Sequence, residues 1–362
     1  MIETLEVGDF LPDFSLPNQR GKVTVLSRST RGKFIVVLFW PAWPHPDCDA
    51  VLKGLAELYA DLHEVAHIFC ITGQSAGTNA ETAEQGAPFE FLLSDPEGRA
   101  AAAYGLEAQS AEGVTCFVGD ANRRLLRVER GRDDAGFAQE LRRLLEAQPH
   151  ERPQQVRPFA PLLYVQGVFS PTFCRELIAL FEREGSESRG VLRTSGGGLG
   201  REVLDPEVKV RRDHIVTDPT MGRRIERYVG TRVLPEIAKA FAYQVTHFEQ
   251  FKIACYEAES HGHFSAHRDN VTLGSAHRRF AMSLNLNTED YAGGELCFPE
   301  YGPQLYNPAA GDAIVFSCSL LHEARPVTRG RRFVLLAFFY GADGARILQR
   351  RGAMPPDAAA SG

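Results

Sequence analysis

The stretch Tyr256-Glu-Ala-Glu-Ser-His-Gly-His-Phe-Ser-Ala-His267-Arg-Asp269 decides how the second half of the chain is read. His267 and Asp269 stand two apart. Side chains two apart on a strand leave the same face, so one short segment can offer an imidazole and a carboxylate to one metal ion. H-x-D alone is a weak pattern, and His45-Pro-Asp47 repeats it upstream with no third ligand nearby. The pattern gains weight from His322, in Leu320-Leu-His-Glu-Ala-Arg-Pro-Val-Thr-Arg-Gly-Arg-Arg-Phe333. Two imidazoles and one carboxylate make a facial donor set that suits iron(II) and leaves coordination positions open. Ten residues beyond His322 comes Arg332, a permanent cation whose forked donors match a carboxylate.

The bulk of the chain sets the frame for that site. Its 362 residues exceed one ordinary core and predict two domains. Acids and bases are interspersed at a net charge of −6, with no basic block for nucleic acid or an anionic membrane. The seven cysteines are scattered, without a C-x-x-C pair. Neither a signal-type segment nor an apolar run of membrane-spanning length is present, so the expected location is cytoplasmic.

Residues 1–148 alternate between strand and helix patterns. Lys33-Phe-Ile-Val-Val-Leu-Phe-Trp40 is a continuous apolar run, as a strand buried on both faces requires. Helical spacing follows at Val51, Leu55, Leu58, Tyr59 and Leu62. Buried strands are predicted at 66–72 and 114–118, and an amphipathic helix at 135–147. The alternation argues an α/β sandwich. Gly8-Asp-Phe-Leu-Pro-Asp-Phe-Ser-Leu-Pro17 and Arg31-Gly-Lys-Phe-Ile-Val-Val-Leu-Phe-Trp-Pro41 resemble the opening of the peroxiredoxins of the AhpC/TSA type. The resemblance implies a thioredoxin-like fold and places Cys48 where that family holds its redox thiol. Two positions depart from the family: His45 replaces its hydroxyl residue, and Val114 its arginine. Without that cation a thiolate loses a stabilising charge. Cys48 is therefore open to two readings, a redox thiol or a remnant in a scaffold or docking domain.

A Pro/Gln/Arg-rich linker is expected at 149–159, a second domain at 160–345 and a disordered tail at 346–362. Ser170-Pro171 predicts a capped helix start. Residues 185–200 are Gly/Ser-rich and read as a loop, or as a lid over a substrate. A long helix, kinked at Pro235, is predicted over 220–241. Strand patterns then dominate at 247–256, 279–287, 295–298, 312–318 and 332–340. Short strands around a metal suggest a double-sheet jelly roll. His261, His263 and His277 read as loop polar residues, and Cys255, Cys297 and Cys318 as packing thiols. Arg211, Arg212 and His214 face either the pocket mouth or solvent.

Residues 160–342 resemble the prolyl-4-hydroxylase-type iron(II)- and 2-oxoglutarate-dependent dioxygenases. The resemblance rests on the Tyr256…His267-x-Asp269 segment, Gly293-Gly-Glu-Leu-Cys-Phe298, Asn307-Pro-Ala-Ala-Gly-Asp312, and His322 followed by Pro326, Gly330 and Arg332. It implies a double-stranded β-helix with flanking helices, and His267, Asp269 and His322 as ligands of Fe(II). It further implies Arg332 on the far carboxylate of 2-oxoglutarate, with Arg331 one residue away as the neighbouring choice, and Tyr256 in the same pocket. O2 would be the oxidant. The substrate would offer an unactivated C–H on a peptidyl proline, an amino acid or another small molecule, and the N-terminal domain would serve as scaffold or recruiter. The competing reading is a thiol peroxidase or redox sensor acting through Cys48, with an associated oxygenase domain. Homo-oligomerisation stays open.

Overall fold

The computed structural model describes residues 4–30, 32–40, 48–106, 113–134, 136–148, 159–188, 190–193 and 201–352. The chain divides into two compact units, Met1–Gln154 and Gln155–Gly362. Residues 41–47, 149–158, 194–200 and 353–362 lie outside the described residues. With them lie His45-Pro-Asp47, nearly all of the expected linker, and parts of the expected lid and tail.

In the first unit the apolar run becomes the strand Phe34–Trp40, at the centre of a five-stranded sheet. It runs parallel to Ala66–Thr72, which runs parallel to Phe91–Ser94. On the other side come Val114–Gly119 and Leu125–Arg132, both antiparallel. The continuous hydrophobicity has a direct cause. Val36 and Leu38 pack under the helices Asp49–Val65 and Phe137–Glu146, while Ile35 and Val37 pack against Phe69, Phe117 and Tyr104 on the opposite face. This is a thioredoxin fold.

The second unit is a jelly roll of two antiparallel sheets. The larger runs, in order, Leu162–Val165, Ala313–Ser317, Phe280–Asn285, Arg331–Tyr340, Lys252–Glu257, Arg212–Ile215 and Glu187–Ser188. The smaller runs Lys209–Val210, His263–His267, His322–Ala324, Leu296–Cys297 and Leu305–Tyr306. Strand Phe280–Asn285 shows how the alternation is used. Phe280, Met282 and Leu284 face a core shared with the helices Pro171–Glu184, Pro219–Arg232 and Leu234–Phe241, whereas Ala281 faces the space between the sheets. Ser170 caps its helix by accepting from the Phe173 amide at 3.2 Å.

Three expectations need correction. The predicted strand 247–256 is split into His247–Phe248 and Lys252–Glu257; the Glu249 amide still donates to the Phe338 carbonyl at 3.0 Å, while its carboxylate turns to Arg278 and His277. The long helix is interrupted at Val233, and Pro235 sits in the first turn of the segment that follows, where its missing N–H costs nothing. The tail read as disordered from residue 346 overlaps the helix Ala342–Gly352, whose first turn is pinned by Asp343 to the Tyr243 hydroxyl and, at 2.6 Å, to Arg279. No helix among the described residues is long and apolar enough to cross a membrane.

Candidate metal centre

His267 ends the strand His263–His267, and His322 opens the strand paired with it, so the two residues are direct partners in the smaller sheet. Asp269 is not on the strand, as its i+2 spacing suggested. It lies in the turn that follows, and its amide donates to the Cys318 carbonyl at 3.0 Å. That turn swings the carboxylate between the rings. Oδ1 is 3.5 Å from His267 Nε2 and Oδ2 is 3.4 Å from His322 Nε2. One ligand atom from each residue lies within 4.8 Å of the others.

The rings are oriented for their Nε2 atoms to face inward. His267 Nδ1 lies 2.8 Å from the Ser265 carbonyl, and His322 Nδ1 lies 3.0 Å from the Leu320 carbonyl. A carbonyl only accepts, so each Nδ1 carries the proton and donates it, leaving the Nε2 lone pair for a metal. Phe264 stacks on His267 with centroids 3.5 Å apart, and Phe316 meets His322 edge-on at 4.6 Å. Burial holds the His322 imidazole below its ordinary pKa, which keeps it neutral near pH 7. Burial works against the charged form of Asp269, but the His322 and His267 rings outweigh it and bring that carboxyl down to about 2. Two imidazoles and one carboxylate are the donor set that a ferrous ion takes.

Arg332 lies deeper in the larger sheet, at 1% exposure, beside Tyr256, its direct partner on the next strand. Its Nη2 donates to Asn285 Oδ1 at 3.2 Å, and its guanidinium carbon is 5.3 Å from the centre of the Tyr256 ring. Nε has no partner, and no carboxylate among the described residues pairs with this cation. A buried guanidinium without an acid is costly unless a bound anion answers it. Arg331, by contrast, points outward to Glu182 at 2.6 Å. Gly294 makes room for the buried arginine. Its φ is +73°, and a Cβ there would lie 2.9 Å from Arg332 Cδ. The residues present therefore fit both an iron ion and an acid that spans from it to Arg332.

The triad, Tyr256 and Arg332 line one cavity of ≈ 400 Å³. Sequence reasoning left the Arg211–Asp213 fork unassigned. Arg211 Nε and Nη2 donate to the two Asp213 oxygens at 2.6 and 2.7 Å, and Nη1 donates to the Tyr256 hydroxyl at 3.2 Å. Tyr256 thus lies between two guanidiniums. Burial would raise the Asp213 pKa, but Arg211 more than offsets it and holds the carboxyl below its usual range. The signal was the i, i+2 pairing of opposite charges, with Arg211 between the strands Lys209–Val210 and Arg212–Ile215 and Asp213 inside the second. Arg212 and His214 belong to other surroundings: Arg212 is exposed, and His214 is buried with Nδ1 2.9 Å from the Gly185 carbonyl. His277, read as a loop residue, is buried against Glu249 at 2.9 Å. All seven cysteines are buried and free of disulfides. Cys48 caps the helix Asp49–Val65 at 1% exposure, in the same apolar cluster as Val114.

Residues 251–340 match the family model described as the 2OG-Fe(II) oxygenase superfamily, and residues 7–126 match that of the AhpC/TSA family. A PKHD-type hydroxylase of Acaryochloris marina is 39% identical over 77 residues, 21% of this chain and 35% of that protein. Another, from Pseudomonas putida, is 34% identical over 131 residues, 33% of this chain and 56% of that protein. The chain thus spans only about a third to just over half of the curated relatives it matches. Among solved structures, the peroxidoxin BcpB of Mycobacterium tuberculosis is 27% identical, with a TM-score of 0.37, over 40% of this chain and 99% of that one. A Pseudomonas putida prolyl-4-hydroxylase is 16% identical, with a TM-score of 0.38, over 50% and 92% of the two chains. The chain thus carries a match to the AhpC/TSA family in its first unit and a match to the 2OG-Fe(II) oxygenase superfamily in its second.

Proposed function

We propose that the second domain is an iron(II)- and 2-oxoglutarate-dependent dioxygenase that hydroxylates an unactivated C–H. His267, Asp269 and His322 hold the iron, Arg332 takes the far carboxylate of 2-oxoglutarate, and Tyr256 walls the same pocket. When bound, iron(II) and 2-oxoglutarate supply the activation of O2, the oxo acid leaving as succinate and carbon dioxide. The chain's own work is to orient and to exclude water. The Asn285 oxygen aims the Arg332 fork, the backbone carbonyls of Ser265 and Leu320 fix the imidazole tautomers, and Phe264 and Phe316 shield the rings. The observation that carries this reading is a three-donor cluster within 4.8 Å sharing its cavity with a buried arginine that has no acid of its own. The substrate is a peptidyl proline, an amino acid or another small molecule, and the cytoplasm, where thiols stay reduced, suits seven cysteines that form no disulfide.

The test is anaerobic mixing of the protein with iron(II) and 2-oxoglutarate. A visible charge-transfer band is expected, and it should vanish in His267→Ala. No band in the wild type would end the proposal. The first domain is proposed to recruit substrate rather than to turn over peroxide, since Cys48 is buried among apolar side chains and Val114 supplies no cation. Rapid peroxide consumption that is lost in Cys48→Ser would reverse that assignment.

A further inference from the structure

Charge in the cavity is unevenly answered. Three of its cations are matched at short range: Arg211 by Asp213 at 2.6 Å, Arg268 by Glu300 at 2.6 Å, and Arg278 by Glu249 at 2.6 and 2.8 Å. Lys209 donates to the Gly190 carbonyl at 3.0 Å. Asp269 and a ferrous ion leave one positive charge, 2-oxoglutarate brings two negative ones, and Arg332 restores neutrality. Lys252 is left over. It lines the cavity, and among the described residues no carboxylate or carbonyl lies within bonding distance of its ammonium. Burial and then the Arg278 guanidinium hold its pKa below the ordinary value, outweighing the Asp213 and Glu249 carboxylates, which act on it from a distance and are themselves engaged by Arg211 and Arg278.

Lys252 also has a definite place. On the strand Lys252–Glu257, Tyr256 stands opposite Arg332 and Lys252 stands opposite Leu336. Four residues of strand separate the two cations, roughly 13 Å at about 3.3 Å per residue. The Lys252 end is continuous with Phe338, over whose ring Arg278 lies at 3.8 Å, and Arg278 Nη1 reaches the Asp269 carbonyl at 3.4 Å. The cavity therefore has two cationic poles, one at Arg332 and one at Lys252, with Leu336 and Phe338 giving an apolar wall at the second.

We propose that the molecule hydroxylated here carries a carboxylate, received by Lys252 at the pole opposite Arg332. This rests on reading the cavity as the dioxygenase site. A neutral peptidyl segment would cover Lys252 without giving it a direct ion pair, whereas a free acid would supply one, and an apolar body would fill the wall between. Lys252 is a specificity-determining residue, and binding of acid against amide reports it directly.

The probes are N-acetyl-L-proline, its neutral N-methylamide, and an acetylated Pro-Asp dipeptide methylamide, which carries its carboxylate on a side chain. Each is titrated calorimetrically under argon into the full chain loaded with iron(II) and 2-oxoglutarate. Expected is binding of at least one acid about tenfold or more tighter than the methylamide. Which acid it is separates a free small molecule from an acidic peptide. The preference should disappear in Lys252→Met and return to within about threefold in Lys252→Arg. Should Lys252→Met not fold, Lys252→Gln is read in its place. Equal affinities for acid and amide, including binding of neither, overturn the proposal while the charge-transfer band leaves the dioxygenase reading standing. Absence of the band sinks both.

Discussion

Arg332→Met should make the metal-free protein no less stable while destroying its grip on 2-oxoglutarate. The arginine is 1% exposed, and no carboxylate among the described residues pairs with it. Removing an uncompensated buried charge relieves a penalty of several kcal/mol. Against this, Asn285 Oδ1 loses its donor at 3.2 Å, which costs about 1–3 kcal/mol, and the contact over Tyr256 gives up about 0.5–2 kcal/mol. The sum lies near zero or on the stabilising side. Each kcal/mol moves the melting temperature by roughly 2–4 °C in a domain of this size. Loss of a buried, forked ion pair with the bound acid costs about 3–5 kcal/mol, or roughly two to three and a half decades of affinity. Thermal unfolding of the metal-free protein and calorimetric titration of 2-oxoglutarate into the iron(II)-loaded one measure the two effects separately. A melting point lowered by more than about 8 °C, with affinity kept within about tenfold, would mean that Arg332 is a structural residue and that the reasoning is wrong.

Other substitutions test neighbouring parts of the site. Gly294→Ala places a Cβ 2.9 Å from Arg332 Cδ at φ +73°, so 2-oxoglutarate affinity should fall about tenfold and stability by about 1–3 kcal/mol, read from the same titration and from denaturant unfolding. Asp213→Ala strands Arg211 beside Tyr256 and should cost about 3–5 kcal/mol, whereas Arg211→Met combined with Asp213→Leu should cost much less, as a double-mutant cycle in urea would record. His322 has a depressed pKa in the folded state, so between that value and the ordinary 6.5 the unfolded chain binds more protons and stability rises with pH. Metal-free protein should therefore be less stable at pH 5.5 than at 7.5, and His322→Gln should flatten that slope. The Asp269 contribution has a different window. It is fully present above the unfolded carboxylate value, near 4, and is lost as pH falls toward about 2.

The strands were legible wherever hydrophobicity had a simple cause. The run at Phe34–Trp40 is apolar because both faces are covered, and the alternation at Phe280–Asn285 separates a helix-packed face from one that looks between the sheets. The candidate site residues stood out because each stands in a short motif. What sequence could not supply was long-range charge matching. The Glu249 carboxylate, inside a continuous strand pattern, is matched by Arg278 and His277, which lie 29 and 28 residues away in sequence but adjacent in space. Arg211 offered a local signal in Asp213, two residues on, but its contact with the Tyr256 hydroxyl, 45 residues on, left no trace in the spacing. The final helix was misread for the same reason: Asp343 is anchored by Tyr243 and Arg279, and nothing in its own polar neighbourhood advertises that.

The carbonyls of Ser265 and Leu320 that receive the Nδ1 protons belong to the peptide backbone, each two residues before its own ring. No codon change can delete such an acceptor without distorting the main chain. Side chains of the cavity wall can consequently be exchanged one at a time while the acceptors that orient His267 and His322 stay in place.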